Sequence, residues 1–352
     1  MTNLYLKSII LFPALLSSTL SLNAAADLNA TADLNATTEH EVEIIELAPP
    51  LNHKDIEISG LTWCADTLIV VPQYPERLVE DGESYLYGIS KKVILDYVSA
   101  KDRSPIPAKP IKIFENDIRE EMSLFEGFEA IACDGTTVWL SIEAQNFFGT
   151  HEAYIVPADP NLSSTEPSIS IRTDQIRRIK SQSGIQNKGE EAILLYKEHL
   201  VSLHEVYDKR MVPFPKAHRI ETEWGTQSEI SMEHLPYRLT DATNVDNQGR
   251  FWVINYQYSG DKFTRGADDP IKEKYGAGSS HKQYYNTERL VEFKFGDNSV
   301  TRSERPPIQL KMHAKEGRNW EGIARLNNIG FLIATDKHPD TIMGFVRIET
   351  DK

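Results

Sequence analysis

Positive charge and cysteine are both scarce in this chain. It carries 38 lysines and arginines against 52 aspartates and glutamates, a net charge of −14 over 352 residues. Nucleic acids and anionic membranes are bound through a cationic footprint, so this balance argues against both, and a cation is the more natural ligand. Two cysteines, Cys64 and Cys133, are too few for a disulfide framework; in an oxidising compartment they permit a single bond. A Gly-rich phosphate loop, an HExxH helix, a CxxC pair and a GxSxG elbow are also missing, so serine-nucleophile and zinc chemistry have no support in the sequence.

No comfortable membrane span is present either. The candidate run, IILFPALL, follows Lys7, is interrupted by Pro13 and serines, and gives way to Ala-x-Ala-like cleavage sites near Ala24–Ala26. Residues 1–26 therefore read as a secretory signal peptide, whose removal leaves an exported, periplasmic or secreted chain without a membrane span. Residues 27–40, with their tandem ADLNAT, read as a disordered low-complexity tether. No Pro- or Gly-rich linker divides residues 41–352, and with 40% hydrophobic content they read as a single domain.

What is present is an internal repeat. Five apolar segments begin with a polar or acidic residue and end with a second one 14 or 15 positions later: Ser59 to Gln73, Glu129 to Glu143, Glu191 to Glu205, Asp241 to Asn255 and Glu321 to Asp336. Each holds an apolar run, a turn such as CDGT, DNQG or LNNIG, and a second run rich in β-branched and aromatic residues, which is the pattern of a β-hairpin. Two further strand-like segments follow each of the first four: SYLYGIS and PIKIF, EAYIVP and SISIR, FPKAHRIE and EISMEHL, RLVEFKF and PIQLKM. The fifth has only TIMGFVRIE, and EVEIIEL at 41–47 supplies the missing strand. The expected fold is all-β, a five-bladed β-propeller of four-stranded antiparallel blades whose last blade is closed by the N-terminal strand. A sixth, degenerate blade stays open if a longer interval hides one. Cys64 and Cys133 are offset by one position in the repeat, so a disulfide and two small buried thiols both stay open.

The start of a hairpin's first strand and the end of its second lie at the same end. With the first strand innermost, Ser59, Glu129, Glu191, Asp241 and Glu321 form a ring at one mouth, and Gln73, Glu143, Glu205, Asn255 and Asp336 form a second ring one strand further out. Crowded carboxylates raise one another's pKa unless a cation neutralises them. Oxygen donors without His or Cys in the inner ring point to a hard ion, Ca²⁺ before Mg²⁺. In the competing reading the same acids bond backbone N–H groups at strand ends and hold neighbouring blades together. Loops leaving this mouth carry Arg77, His151, Lys209, Arg210, Lys262, Arg265, His281, Lys337 and His338, which would suit a small anionic substrate. His204 reads as a packed histidine, because it alternates with Glu205 along the strand.

ISGLTW at 58–63, GFEAIA at 127–132, NKGEEAI at 187–193 and NWEGIA at 319–324 resemble the motifs of exported bacterial propellers of the phytase-like ("esterase-like activity of phytase") family and of the SdiA-regulated type, over roughly residues 50–348. The order Ser, Glu, Glu, variable, Glu is also similar to the calcium ring of the five-bladed calcium-activated nucleotidases, or apyrases. That resemblance implies calcium ligation by Ser59, Glu129, Glu191 and Glu321. Asp241 or Thr240 would serve in the fourth blade, where serine is expected. The substrate-binding loops of the nucleotidases find no match here.

Two functions fit these features. One is a Ca²⁺-dependent hydrolase of phosphate esters or related esters, with Glu143 or Glu205 as base toward a metal-activated water. The other is a non-catalytic, calcium-stabilised binding module whose long 256–287 loop recognises a protein or glycan.

Overall fold

The computed structural model describes residues 37–348 apart from 78–81, 123, 147–149, 184, 186–187, 224 and 259. The signal peptide and most of the tether lie outside the described residues. Strands such as Thr67–Pro72, sequence TLIVVP, are apolar at successive positions and so must be buried on both faces. Leu68 and Val70 enter one core, and Ile69 and Val71 enter the next. The same construction repeats through a nearly all-β chain with 24 strands and three short α-helices among the described residues. None of the described helices is long and apolar enough to cross a membrane.

The strands are arranged as five consecutive antiparallel runs of four. The first is Ile58–Cys64, Thr67–Pro72, Ser84–Ser90 and Lys109–Phe114. The second is Leu124–Cys133, Val138–Gln145, His151–Asn161 and Ser168–Ile171, and the third is Glu190–Tyr196, His199–His204, Lys216–Glu221 and Gln227–Met232. The fourth is Leu235–Ala242, Arg250–Tyr256, Glu288–Phe295 and Ser299–Arg302. Trp320–Leu326, Gly330–Thr335 and Met343–Arg347 make the fifth, and Val42–Ile45 pairs antiparallel with its last strand. Outer strands of the first and second runs, and of the third and fourth, also pair in parallel. That pairing merges the runs into sheets of eleven, nine and four strands.

Five apolar cores lie between neighbouring runs. They fall between the first and second, second and third, third and fourth, fourth and fifth, and finally fifth and first. The first strands of the runs neighbour one another in the same closed order. Cys64 and Cys133, from the first strands of adjacent runs, are joined by a disulfide with their Cα atoms 5.4 Å apart. Two details depart from the sequence reading. The outer edge of the fourth run is shared by Ser299–Arg302 and Ile308–Leu310, because the eight-residue strand Glu288–Phe295 is long enough to pair with both. The 256–287 segment, expected as a loop, contains two short helices, Pro270–Tyr275 and Ser279–Tyr284, the first capped by Asp269.

One irregularity positions the site. Each first strand shifts register once at its repeated polar residue, between Ile58 and Gly60, Phe128 and Ala130, Glu190 and Ala192, Leu239 and Ala242, and Trp320 and Gly322. The residues inside these β-bulges are Ser59, Glu129, Glu191, Thr240 with Asp241, and Glu321. A bulge takes a residue out of the alternating pattern and re-aims its side chain. The repeated polar residue of the sequence is thus the bulged residue of every run.

Candidate functional site

The bulges and the ends of the second strands meet around a cavity of about 290 Å³. Six carboxylates line it: Glu129, Glu191 and Glu321 from the first ring, and Glu143, Glu205 and Asp336 from the second. Gln73 joins them, and its Nε2 donates to Glu129 Oε1 at 2.8 Å. Gly127 makes this approach possible: its φ is +138°, and a Cβ there would stand 2.5 Å from Gln73 Cγ. Asn319 Nδ2 bridges two of the acids, donating to Glu321 Oε1 at 2.8 Å and to Asp336 Oδ2 at 2.7 Å.

The remaining predicted ring members lie elsewhere. Asp241 is buried outside the cavity lining; its Oδ1 accepts from Ala242 N at 2.8 Å and its Oδ2 from Ile323 N at 2.7 Å. It therefore ties the fourth run to the fifth, as does Thr240, whose Oγ1 donates to the Trp320 carbonyl at 2.5 Å. Ser59 Oγ donates to the Val71 carbonyl within its own hairpin at 3.3 Å. Asn255 is held by the carbonyls of Pro236 and Arg238 and by Arg289 Nε, at 2.7, 2.9 and 2.8 Å.

Cations enter the acidic cluster from positions the sequence reading passed over. Lys188 Nζ lies 3.1 Å from Glu205 Oε2, and Arg238 NH1 lies 3.0 Å from Glu205 Oε1. Arg238 is fixed by two bonds to Asp261, at 2.5 and 2.9 Å. Both cations stand three residues before a ring position, Glu191 and Asp241, and that spacing was the available signal. Of the predicted loop cations, Lys337 and His338 line the cavity, and Lys337 and Arg77 both pair with the buried Glu57, at 2.9 and 2.5 Å. Lys209 and Arg210 pair with Asp268 and Asp208, and His281 Nε2 with the Leu310 carbonyl at 2.8 Å. Lys262 and Arg265 do not line the cavity. His204 is fully buried away from it, with Nδ1 on the Gly189 carbonyl, and burial pulls it down to about 4.

Electrostatics follow from this crowding. Burial, with Glu143 and Glu321 nearby, pushes Glu129 well above the usual carboxylate range. Burial with Glu205 and Glu129 does the same to Glu191, and burial with Asp336 does it to Glu321. Glu143 is raised to about 7 by burial, then by Glu205 and Glu126. Burial also raises Asp336 and takes Tyr74, beside Glu129, to about 12. Lys188, Arg238 and Lys337 do not balance six acids, so the cavity favours a further positive charge.

The donor chemistry suits a hard cation, since oxygen predominates and Glu143 Oε1 makes no hydrogen bond. Glu129, Glu191, Glu321, Asp336 and the side-chain oxygen Oε1 of Gln73 are the groups that would hold it. No protein-family profile matches this chain, and no curated protein does. Among solved structures, it is similar to a GH43_1 enzyme from Xanthomonas citri at 8% identity and a TM-score of 0.47, over 86% of this chain and 90% of that one. The RS223 β-xylosidase gives 9% and 0.49 over 87% and 95%, and a glucose dehydrogenase gives 11% and 0.41 over 85% and 99%. Likenesses this distant carry no argument about the chemistry of this chain.

Proposed function

We propose that the chain is a five-bladed β-propeller with calcium at its acidic mouth, and that it is an exported hydrolase of phosphate esters or related anionic esters. The observation that carries this is the cavity itself, in which six carboxylates converge with too little positive charge. Five runs with five cores in cyclic order support the blade count, and the Cys64–Cys133 disulfide supports an oxidising compartment. The four motifs that resemble exported phytase-like propellers support the ester class.

Bound calcium would neutralise the inner carboxylates and polarise an ester oxygen. Glu129, Glu191 and Glu321, with Asp336 and Gln73, would hold it, while Ser59 and Asp241 keep their places in the blades. Lys188, Arg238 and Lys337 face the same cavity and attract the anionic end of the substrate. Glu205 is committed to Lys188 and Arg238, which leaves Glu143 to take a proton from water. Burial and its acidic neighbours raise its proton affinity, which suits a general base. The second reading is a calcium-stabilised binding module, and the lack of a Ser or Cys among the lining residues fits it as well as it fits attack by water.

Elemental analysis of the protein purified without added metal, followed by phosphatase, esterase and nucleotidase assays with and without chelator, tests both. The hydrolase reading expects one calcium per chain and an activity that chelator removes and Glu143→Gln abolishes. Calcium with no activity on any substrate selects the binding module, and no calcium binding sinks both.

A further inference from the structure

Beside the acidic cavity, three side chains converge at ion-pair distances with no aligned hydrogen bond among them. His151 Nδ1 lies 2.9 Å from Glu126 Oε2 and 3.4 Å from Glu143 Oε1, and the three atoms form a set within 4.8 Å. Each is buried and none makes a hydrogen bond. The Glu143 and His151 side chains are only 5% and 7% exposed, so water does not satisfy them. The contacts from the imidazole to the two carboxylates are not aligned as hydrogen bonds. Three ligand atoms gathered within 4.8 Å with no aligned hydrogen bond among them can hold a cation, and the two separations from His151 fit one. Ligands about 2.0–2.2 Å from a single ion at tetrahedral or octahedral angles stand about 2.9–3.5 Å apart.

We infer that Glu126, Glu143 and His151 form a second metal site, one for a borderline transition ion such as zinc rather than calcium. The imidazole sets the preference, since one nitrogen and two carboxylates suit zinc, manganese or iron, whereas calcium takes oxygen alone. The set was not visible as a motif because its members come from three neighbouring strand segments. Glu126 lies in Leu124–Cys133, Glu143 in Val138–Gln145, and His151 opens His151–Asn161. Gln145 supplies the outer contact, with Nε2 2.5 Å from Glu126 Oε1 and 3.2 Å from His151 Nε2. Glu143 also lines the calcium cavity. Zinc on Glu143 therefore removes the free base, and zinc inhibits any hydrolysis that calcium supports.

The site stands on its own three residues, and the calcium reading contributes only that last consequence. The test is calorimetric titration of chelator-treated full-length protein with zinc chloride, calcium-loaded and calcium-free, alongside cobalt substitution read by visible absorption. One zinc per chain is expected, with a cobalt spectrum of a mixed nitrogen–oxygen set. His151→Asn should weaken zinc at least tenfold and bleach that spectrum while calcium binding persists; Glu321→Gln should do the reverse. If His151→Asn does not fold by circular dichroism, Glu126→Gln, at a side chain 26% exposed, provides the same test. Wild-type protein that takes up no zinc, or a folded variant that binds it undiminished, overturns the inference. Zinc uptake by a protein that binds no calcium would leave this site standing and remove the calcium centre.

Discussion

The second, third and fifth runs use their bulges differently from the first and fourth. Glu129, Glu191 and Glu321 reach a shared cavity, whereas Ser59 and Asp241 occupy the same bulges and bond backbone. Four bulges hold one residue and that of the fourth run holds two, yet the one-residue bulge of the first run does not reach the cavity, so bulging alone does not select the role. Side-chain length does. Glutamate has one more methylene than aspartate and two more heavy-atom bonds of reach than serine, enough to clear the strand end. Aspartate's carboxylate stays where N–H groups lie and becomes a tie between adjacent runs. One repeated position thus contains both a charge cluster that destabilises the metal-free fold and a hydrogen-bonded acid that holds it together.

Breaking the tie should have the largest effect. Asp241→Ala leaves the Ala242 and Ile323 N–H groups buried without acceptors. At about 1–3 kcal/mol for each orphaned group, the loss is expected to be about 4 kcal/mol in urea denaturation, with calcium stoichiometry unchanged. Loss of calcium from a variant of normal stability would place Asp241 in the metal site instead.

Next in size is pH. A carboxyl whose folded pKa stands above its unfolded value favours the folded state only while protonated in it. Stability is therefore full below the unfolded value and is lost as pH rises through the folded one. For Glu143 the window runs from 4.5 to about 7, on the order of 3 kcal/mol. Glu129, Glu191 and Glu321 extend the loss in the same direction. Metal-free protein should thus melt lower at pH 7.5 than at pH 5, and saturating calcium should remove the difference. A melting temperature independent of pH without metal would mean that these carboxylates do not repel.

Glu129→Gln and Glu321→Gln should change sign with conditions. In chelator each relieves repulsion and raises stability by roughly 1 kcal/mol; in calcium each falls below wild type, because the ion contributes about 2.7 kcal/mol at a hundredfold excess over its Kd and binds these variants poorly. A variant that is destabilised in both conditions has a purely structural glutamate. Ser59→Ala is the smallest expected change, about 0.5 kcal/mol or less, since its one hydrogen bond is 3.3 Å long.

Much of this architecture was legible in the primary structure because hairpins are local. Apolar runs, turn residues and a spacing of 14 or 15 between paired polar residues located the first two strands of every run, and the orphan segment EVEIIEL marked the strand that pairs with Met343–Arg347. SVTR at 299–302 was passed over because only Val300 of its four residues is apolar and buried. The site was legible only as a set of positions. Alternation assigns a face to each residue, but a bulge suspends alternation at the very residue in question.

By itself, the sequence determined where acids recur, how many hairpins carry them and which terminal segment completes the last run, since each depends on neighbours a few residues apart or on one unmatched strand. Tertiary structure alone decided which acids share a cavity, that Lys188 and Arg238 stand among them, and that His151 meets Glu126 and Glu143. Those outcomes depend on side-chain reach across different strands and runs, and on which charges the packing brings within about 3 Å of one another.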